Sequence, residues 1–142
     1  DANPYPISYN SEEPLRLAIR NGHFDCARLL LENGADVNAH YFLGTEINLI
    51  PPNDAKFLKL LLMYGADANS YDRDGLTPLM KAARHRDGLE SVQILVEYGA
   101  LVNAFALERQ DFRTPLHYAI LSGNTKIVAY LIENGALVNM QW

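Results

Sequence analysis

Apolar residues fall in short runs at helical spacing along the chain, and each run stops at a glycine. Val92, Leu95 and Val96 form one run; Ile127, Val128, Leu131 and Ile132 form another. Residues three and four apart share a helix face, so each run predicts a helix with one apolar side. The glycine that follows fits the left-handed position that closes a helix. Upstream of each run lies a shorter stretch rich in small residues: Ala18-Ile19, Ala82-Ala83 and Ala119-Ile120. Small side chains let neighbouring helices approach closely in a packed interior. Thr77 and Thr114 stand just before these stretches. A threonine hydroxyl there can accept a free amide of the first turn. Pro78 and Pro115 follow at the first helical position, where proline loses no hydrogen bond. The pattern therefore predicts a short helix, a longer helix and an extended loop such as Asp36-Val37-Asn38, over and over.

Two phrases recur in fixed register. Leu29-Leu-Leu-Glu-Asn-Gly-Ala-Asp-Val-Asn38 returns at 60–69, 94–103 and 130–139, with glycines at Gly34, Gly65, Gly99 and Gly135 spaced 31, 34 and 36 apart. Glu13-Pro-Leu-Arg16 returns as Thr77-Pro-Leu-Met80 and Thr114-Pro-Leu-His117, and the proline-to-glycine distance is 20, 21 and 20 residues. One such unit cannot bury both faces alone and has to stack on its neighbour.

On these phrases the chain resembles the ankyrin repeat, whose pattern is a Thr-Pro-Leu-His helix start and a Leu-Leu-x-x-Gly-Ala-Asp-x-Asn helix end. The resemblance runs over nearly the whole chain. It implies an all-α fold, a solenoid of stacked helix-turn-helix units with β-hairpin-like loops. The expected division is the tail of a preceding repeat or linker at 1–10, repeats at 11–40, 41–70 and 71–104, and a fourth repeat with the start of a following turn at 105–142. Asp1-Ala-Asn3 matches Asp67-Ala-Asn69, and Met140-Gln-Trp142 enters a further turn, so the native protein is expected to extend past at least one end.

Two units depart from the pattern. In the second, Gly44-Thr-Glu-Ile-Asn-Leu-Ile50 replaces the helix start and Pro51-Pro52 follows, which shortens the first helix. Neutral drift and a reshaped groove both account for this. The fourth carries about three extra residues within Phe105-Ala-Leu-Glu-Arg-Gln-Asp111, and repeat insertions map to loops on one face, often the binding face.

Composition narrows the function. With 49% apolar and 20% charged residues the chain is globular, and a net charge of −5 gives no pull toward nucleic acid. The best apolar run, Phe57 to Tyr64, is interrupted by Lys59 and is too short to cross a membrane. The single cysteine, Cys26, sits at an apolar helix position and is expected to be buried; it excludes an internal disulfide. The cysteine usage, with no Asn-x-Ser/Thr site, fits an intracellular setting, cytoplasmic or nuclear. There is no phosphate-binding glycine loop, nucleophile elbow or zinc-helix motif, and His23, His40, His85 and His117 show no metal spacing. No enzyme activity, cofactor or metal is expected. Glu12-Glu13 and Asp72/Asp74 are read as complementing helix ends.

The resemblance implies a role for further residues. His117 ties its turn to the neighbouring repeat, and Arg16, Asn48 and Met80 in its place are expected to weaken that tie. Asn38, Asn69, Asn103 and Asn139 are expected to hydrogen-bond the connecting loop. Partners of the family dock on the concave side, made by hairpin tips and first helices. Carried over by position, this selects Glu12, Arg20 and Asn21; Tyr41 and Phe42; Arg73, Asp74, Leu76, Arg84 and His85; and Asp111, Arg113, Leu121 and Ser122. The aromatics Tyr41, Phe42, Tyr71, Phe105 and Phe112 recur at the tips, as an interaction strip or as tip-on-tip packing. Arg20, Arg73, Arg84 and Arg113 fall on concave positions, with Arg109 in the insertion and Lys81 and Arg86 beside the third-unit group. They make a basic groove for an acidic or phosphorylated segment, or else a solvated mixed surface. The expected function is a protein–protein interaction module within a larger adaptor such as a ubiquitin-ligase substrate receptor. The alternative is a regulatory region that binds in cis within a larger enzyme or channel.

Overall fold

The computed structural model describes residues 13–39 and 45–139. Helices pair in order: α1 (Pro14–Arg20) with α2 (Phe24–Glu32), α4 (Pro78–Ala83) with α5 (Leu89–Glu97), and α6 (Pro115–Ser122) with α7 (Thr125–Glu133). In the second unit α3 (Ala55–Met63) is preceded by a 3-10 turn, Glu46–Leu49, that ends at Pro51-Pro52. The elements form two rows. First helices pack on first elements of the next unit (α1 on the 3-10 turn, α4 on α6), and second helices on second helices (α3 on α5, α5 on α7). No strand forms among the described residues. Hairpin-like turns are held by single bonds instead, Asp72 N–H to Leu76 O at 2.9 Å and Ala106 N–H to Arg113 O at 2.7 Å.

The core follows the sequence pattern. Ala82, Ala83 and Ala119 are fully buried between rows, where a larger side chain would hold the helices apart. Leu61, Val92, Leu95, Ile127 and Leu131 fill the space from the second-helix side. Thr77 Oγ1 accepts Met80 N–H at 3.4 Å, with Pro78 next in line. Gly34, Gly65, Gly99 and Gly135 close the second helices at φ between 90° and 99°.

An asparagine ladder binds the units together. Asn38 donates to Gly65 O (2.9 Å) and accepts Asp67 N–H (2.9 Å). Asn69 donates to Gly99 O (3.1 Å) and accepts Leu101 N–H (2.8 Å). Asn103 donates to Gly135 O (2.9 Å) and accepts Leu137 N–H (3.0 Å). Each side chain satisfies a donor and an acceptor that the next unit's turn would otherwise leave to water.

The expected weakening at the His117 position needs correction at two of its three substitutes, Asn48 and Arg16, which bond to the next unit by other means. His117 Nδ1 accepts Thr114 N–H at 3.0 Å. Asn48 makes the same bond to Thr45 N–H at 2.9 Å and also donates to Ser70 O at 3.0 Å. Met80 offers only its sulfur, 3.5 Å from Thr77 N. Arg16, which has no acceptor, reaches across to Glu46 of the next unit at 3.5 Å, with both side chains buried. Glu46 stands where the other units carry proline. Cys26 is a second correction: it is exposed. Its counterparts Phe57, Ser91 and Ile127 are buried, and Phe57 meets Phe24 of the preceding unit edge-on at 5.5 Å. Cys26 instead borders an open apolar groove with Pro14, Leu17, His23 and Leu30.

Candidate interaction surface

The third-unit turn is built around one carboxylate. Asp72 Oδ1 accepts Asp74 N–H (2.9 Å) and Leu76 N–H (3.0 Å), and Oδ2 pairs with Lys81 at 3.3 Å. Asp72 therefore organises a loop and does not complement a helix end. Lys81 also donates to Asn48 O at 3.0 Å, so its ammonium joins units two and three and adds nothing to an open basic groove.

The extra residues of the fourth unit fold over this turn. Leu107 N–H donates to Gly75 O at 3.0 Å, Arg109 Nη1 to Arg73 O at 2.7 Å and Gln110 Nε2 to Asp74 O at 3.0 Å. A Cβ on Gly75 would lie 2.9 Å from Leu107 Cβ, so glycine is what permits the approach. The 3-10 turn Glu108–Gln110 leads into Asp111 and Phe112, both left-handed at φ 57° and 54°. Left-handed backbone costs a residue with a Cβ roughly 1–2 kcal/mol. The bonds on either side, Asp111 N–H to Glu108 O at 2.9 Å and Arg113 N–H to Gln110 O at 3.3 Å, hold it there.

These contacts sort the residues selected from sequence. Leu76 is corrected: it is 1% exposed and belongs to the core, because the Asp72 bonds turn its backbone inward. Arg109 is a tie to the neighbouring turn through its guanidinium. Tyr71 donates its hydroxyl to Phe105 O at 2.6 Å, so one tip holds the next, while both rings keep about two fifths of their surface exposed. Phe112 is exposed to a similar degree. Arg20, Arg73, Asp74, Arg84, Leu121 and Ser122 are exposed, and Arg113 is half-buried. His85 is half-buried, and its Nδ1 accepts Asp87 N–H at 3.0 Å. Arg86 is exposed and faces Asp87 at 3.9 Å. Glu12, Tyr41 and Phe42 lie outside the described residues.

Arg84 at the end of α4 and Arg113 in the turn before α6 belong to adjacent units, whereas Arg20 ends α1, two units away. Ser122 Oγ, one turn beyond Tyr118 on α6, donates to Ala83 O at 3.3 Å, which sets Arg84 beside that helix. The Tyr118 hydroxyl donates to Gln110 Oε1 at 3.4 Å, which sets the Arg113 turn above it. Burial pushes the Tyr118 phenol up, and Arg113 and then Arg84 oppose that shift. Burial, followed by the Arg113 charge, holds His117 below the usual imidazole range. A neutral His117 suits its acceptor role at Nδ1.

No group of three metal-ligating side chains forms among the described residues, and no described helix is long and apolar enough to cross a membrane. What the surface offers is exposed aromatic and cationic side chains on a turn backbone fixed by inter-unit bonds.

Comparison with known proteins agrees with this architecture. The family pattern described as Ankyrin repeats (3 copies) matches residues 51–141, and the single Ankyrin repeat pattern matches residues 12–40. The chain is 37% identical over 112 residues to human Ankyrin repeat and SOCS box protein 16, covering 78% of this chain and 24% of that protein. It is 31% identical over 131 residues to human Palmitoyltransferase ZDHHC13, covering 90% of this chain and 21% of that protein. It is 34% identical over 130 residues to Ankyrin repeat and KH domain-containing protein mask-1 of Caenorhabditis elegans, covering 92% of this chain and 5% of that protein. The chain thus spans a quarter or less of the length of these relatives. With two repeat patterns covering most of its residues and the helix pairs stacked in register, the chain belongs to the ankyrin-repeat family.

Proposed function

We propose that this chain is a recognition module that takes a partner protein on the face made by its hairpin turns and first helices. Ankyrin repeats are a protein–protein interaction module and not a catalytic one. The observation that carries the choice of face is that Tyr71, Phe105 and Phe112 are exposed on turns tied to one another by the Tyr71–Phe105 bond, in the same two units as the exposed Arg84 and the half-buried Arg113. Aromatic and arginine side chains dominate binding hot spots, and a pre-fixed backbone lowers the ordering cost of binding. The cations favour an acidic or phosphorylated segment over nucleic acid, for which so few charges give a weak footprint. A larger intracellular adaptor, such as a ubiquitin-ligase substrate receptor, is the preferred context, supported by the relative named for ankyrin repeats and a SOCS box. The relative named as a palmitoyltransferase favours a second reading, a regulatory repeat region of a larger enzyme that binds in cis.

The test is selection of random peptides displayed on phage against the 142-residue chain. Peptides selected on the native chain are expected to bind Phe105→Ala/Phe112→Ala about tenfold or more weakly. They are expected to bind Leu29→Ala, on the second-helix side, as before. Peptides that lose Leu29→Ala and keep the double variant would reject the face.

A further inference from the structure

We propose that the two ends of the stack are the halves of one interface, and that the fourth unit of one copy seats end-on against the first unit of a second copy. This contact goes beyond the turn and first-helix face and leaves that face open. Equivalent positions differ in burial according to the neighbour they meet. Ile19 and Ala83 are buried in first helices that pack on the following unit, whereas their counterpart Ile120, with no described unit beyond it, is 60% exposed. Leu31 and Leu62 are buried, and Ile132, at the same distance before its glycine, is exposed. Val37 and Ala68 are buried in their turns, and Val138 is exposed in the last one.

The first unit shows the opposite half. Tyr118 on α6, which packs on α4, is 4% exposed, and Leu17 at the same place on α1 is 45% exposed. Phe57 and Ile127 are buried, with Phe57 against Phe24 of the preceding unit, and Cys26 at the same place is exposed. The last unit therefore presents what internal joints bury forward, and the first unit presents what they bury backward. A second copy is the occupant this specifies, because it carries the complementary half already matched within the chain. No carboxylate, ammonium or guanidinium lines the hollow beside Ile120 and Val138 or the groove beside Leu17 and Cys26. Joining the two thus strips no such charge of its water. Exposed apolar surface of this kind marks an interaction site. What the contact between copies lacks, relative to an internal joint, is the tether, so it is weaker and depends on concentration. Because the paired surfaces lie at opposite ends, the contact does not close on itself and copies add in a row.

Sedimentation equilibrium of the 142-residue chain tests this. From about 10 µM to about 1 mM, the weak-association range, the average mass is expected to climb past that of two chains without levelling off. Ile120→Glu and Leu17→Glu each block one end at an exposed position and are expected to weaken association about tenfold or more. Their equimolar mixture is expected to form a dimer that grows no further, because one joint is intact and both outer ends are blocked. Met63→Glu, at an exposed site where the other units carry Glu32, Glu97 and Glu133, is expected to associate like the native chain. Circular dichroism melts at low concentration check that each variant is folded, and Val138→Glu replaces Ile120→Glu if that variant is not. A native chain that stays monomeric throughout overturns the proposal. So does a mixture that stays monomeric, or full association by either variant alone, which would mean that like ends pair. A monomer whose Cys26 thiol is shielded from a thiol reagent at every dilution overturns it too, and gives the first face to a segment of the same chain.

Discussion

Replacing Glu46 by glutamine is expected to stabilise the protein at pH 8 by about 3 kcal/mol and to change it little near pH 4.5. Glu46 is fully buried in the place other units give to proline. Burial pushes its carboxyl from 4.5 up to about 7; Arg16 opposes the shift, and the Glu13 and Asp36 charges add to it. One carboxylate oxygen reaches Arg16 only at 3.5 Å, and Oε2 is buried without a hydrogen-bond partner. Desolvation exceeds what so long a pair returns. The folded state therefore prefers the protonated acid. Its contribution to stability is full below the unfolded value, is lost as pH rises from 4.5 toward 7, and is flat above that. Across that window each step of one in pH removes about 1.4 kcal/mol. Glutamine keeps the shape and carries no charge, so it holds the protonated-state stability at every pH. His117, whose imidazole is depressed, works in the opposite sense below its ordinary value. It is common to both proteins and cancels in the difference. Urea unfolding at pH 5, 6, 7 and 8 measures this. A difference between variant and native protein that does not grow with pH would show that the buried carboxyl ionises at no cost.

Gly88→Ala is expected to cost about 3 kcal/mol, the upper end for inserting one methyl group into a packed site. Its φ of −91° suits any residue, so the penalty is not conformational. A Cβ here would lie 1.9 Å from Ala82 O and 2.9 Å from Ala82 C, and neither is a side chain that can turn away. The α4–α5 turn would have to open, and with it Gly88 N–H to His85 O (3.0 Å) and Val92 N–H to Gly88 O (2.8 Å). Gly65→Ala is the contrast. Its φ is +90°, but the space around it is empty, so it meets only the left-handed penalty of roughly 1–2 kcal/mol. Thermal unfolding of the two variants should place Gly88→Ala clearly below Gly65→Ala. The reverse order would mean that the turn has slack that the bonded distances deny.

The fold is legible in the chain because its determinants are local and repeated. Thr77-Pro78, the alanine pairs and the Gly-Ala turns act within one unit, and their recurrence fixes the stacking. What escapes a reading of the sequence lies in contacts between units, at positions that break the pattern. Arg16 and Glu46 are each an irregularity in their own repeat, and only the stack shows that they answer each other 30 residues apart. Position places Leu76 on the open face, but it cannot reveal that Asp72 turns the Leu76 backbone inward. The fourth-unit insertion has the pattern of a binding loop, yet Leu107, Arg109 and Gln110 commit their bonds to the neighbouring turn. For Cys26 the helical period assigns an apolar side without saying what unit stands opposite. Of the arginines, the repeat register selects Arg20, Arg73, Arg84 and Arg113; it cannot say that Arg113 is half-buried beside Asp111 while the other three are exposed.

The central claim is that recognition belongs to the turn and first-helix face. Backbone amide NMR of the 142-residue chain, with and without a phage-selected peptide, tests it most directly. The account predicts shifts confined to Tyr71–Asp74, Arg84–His85, Phe105–Arg113 and Leu121–Ser122. Shifts confined to the outer sides of α2, α3, α5 and α7, with those segments unmoved, would contradict it.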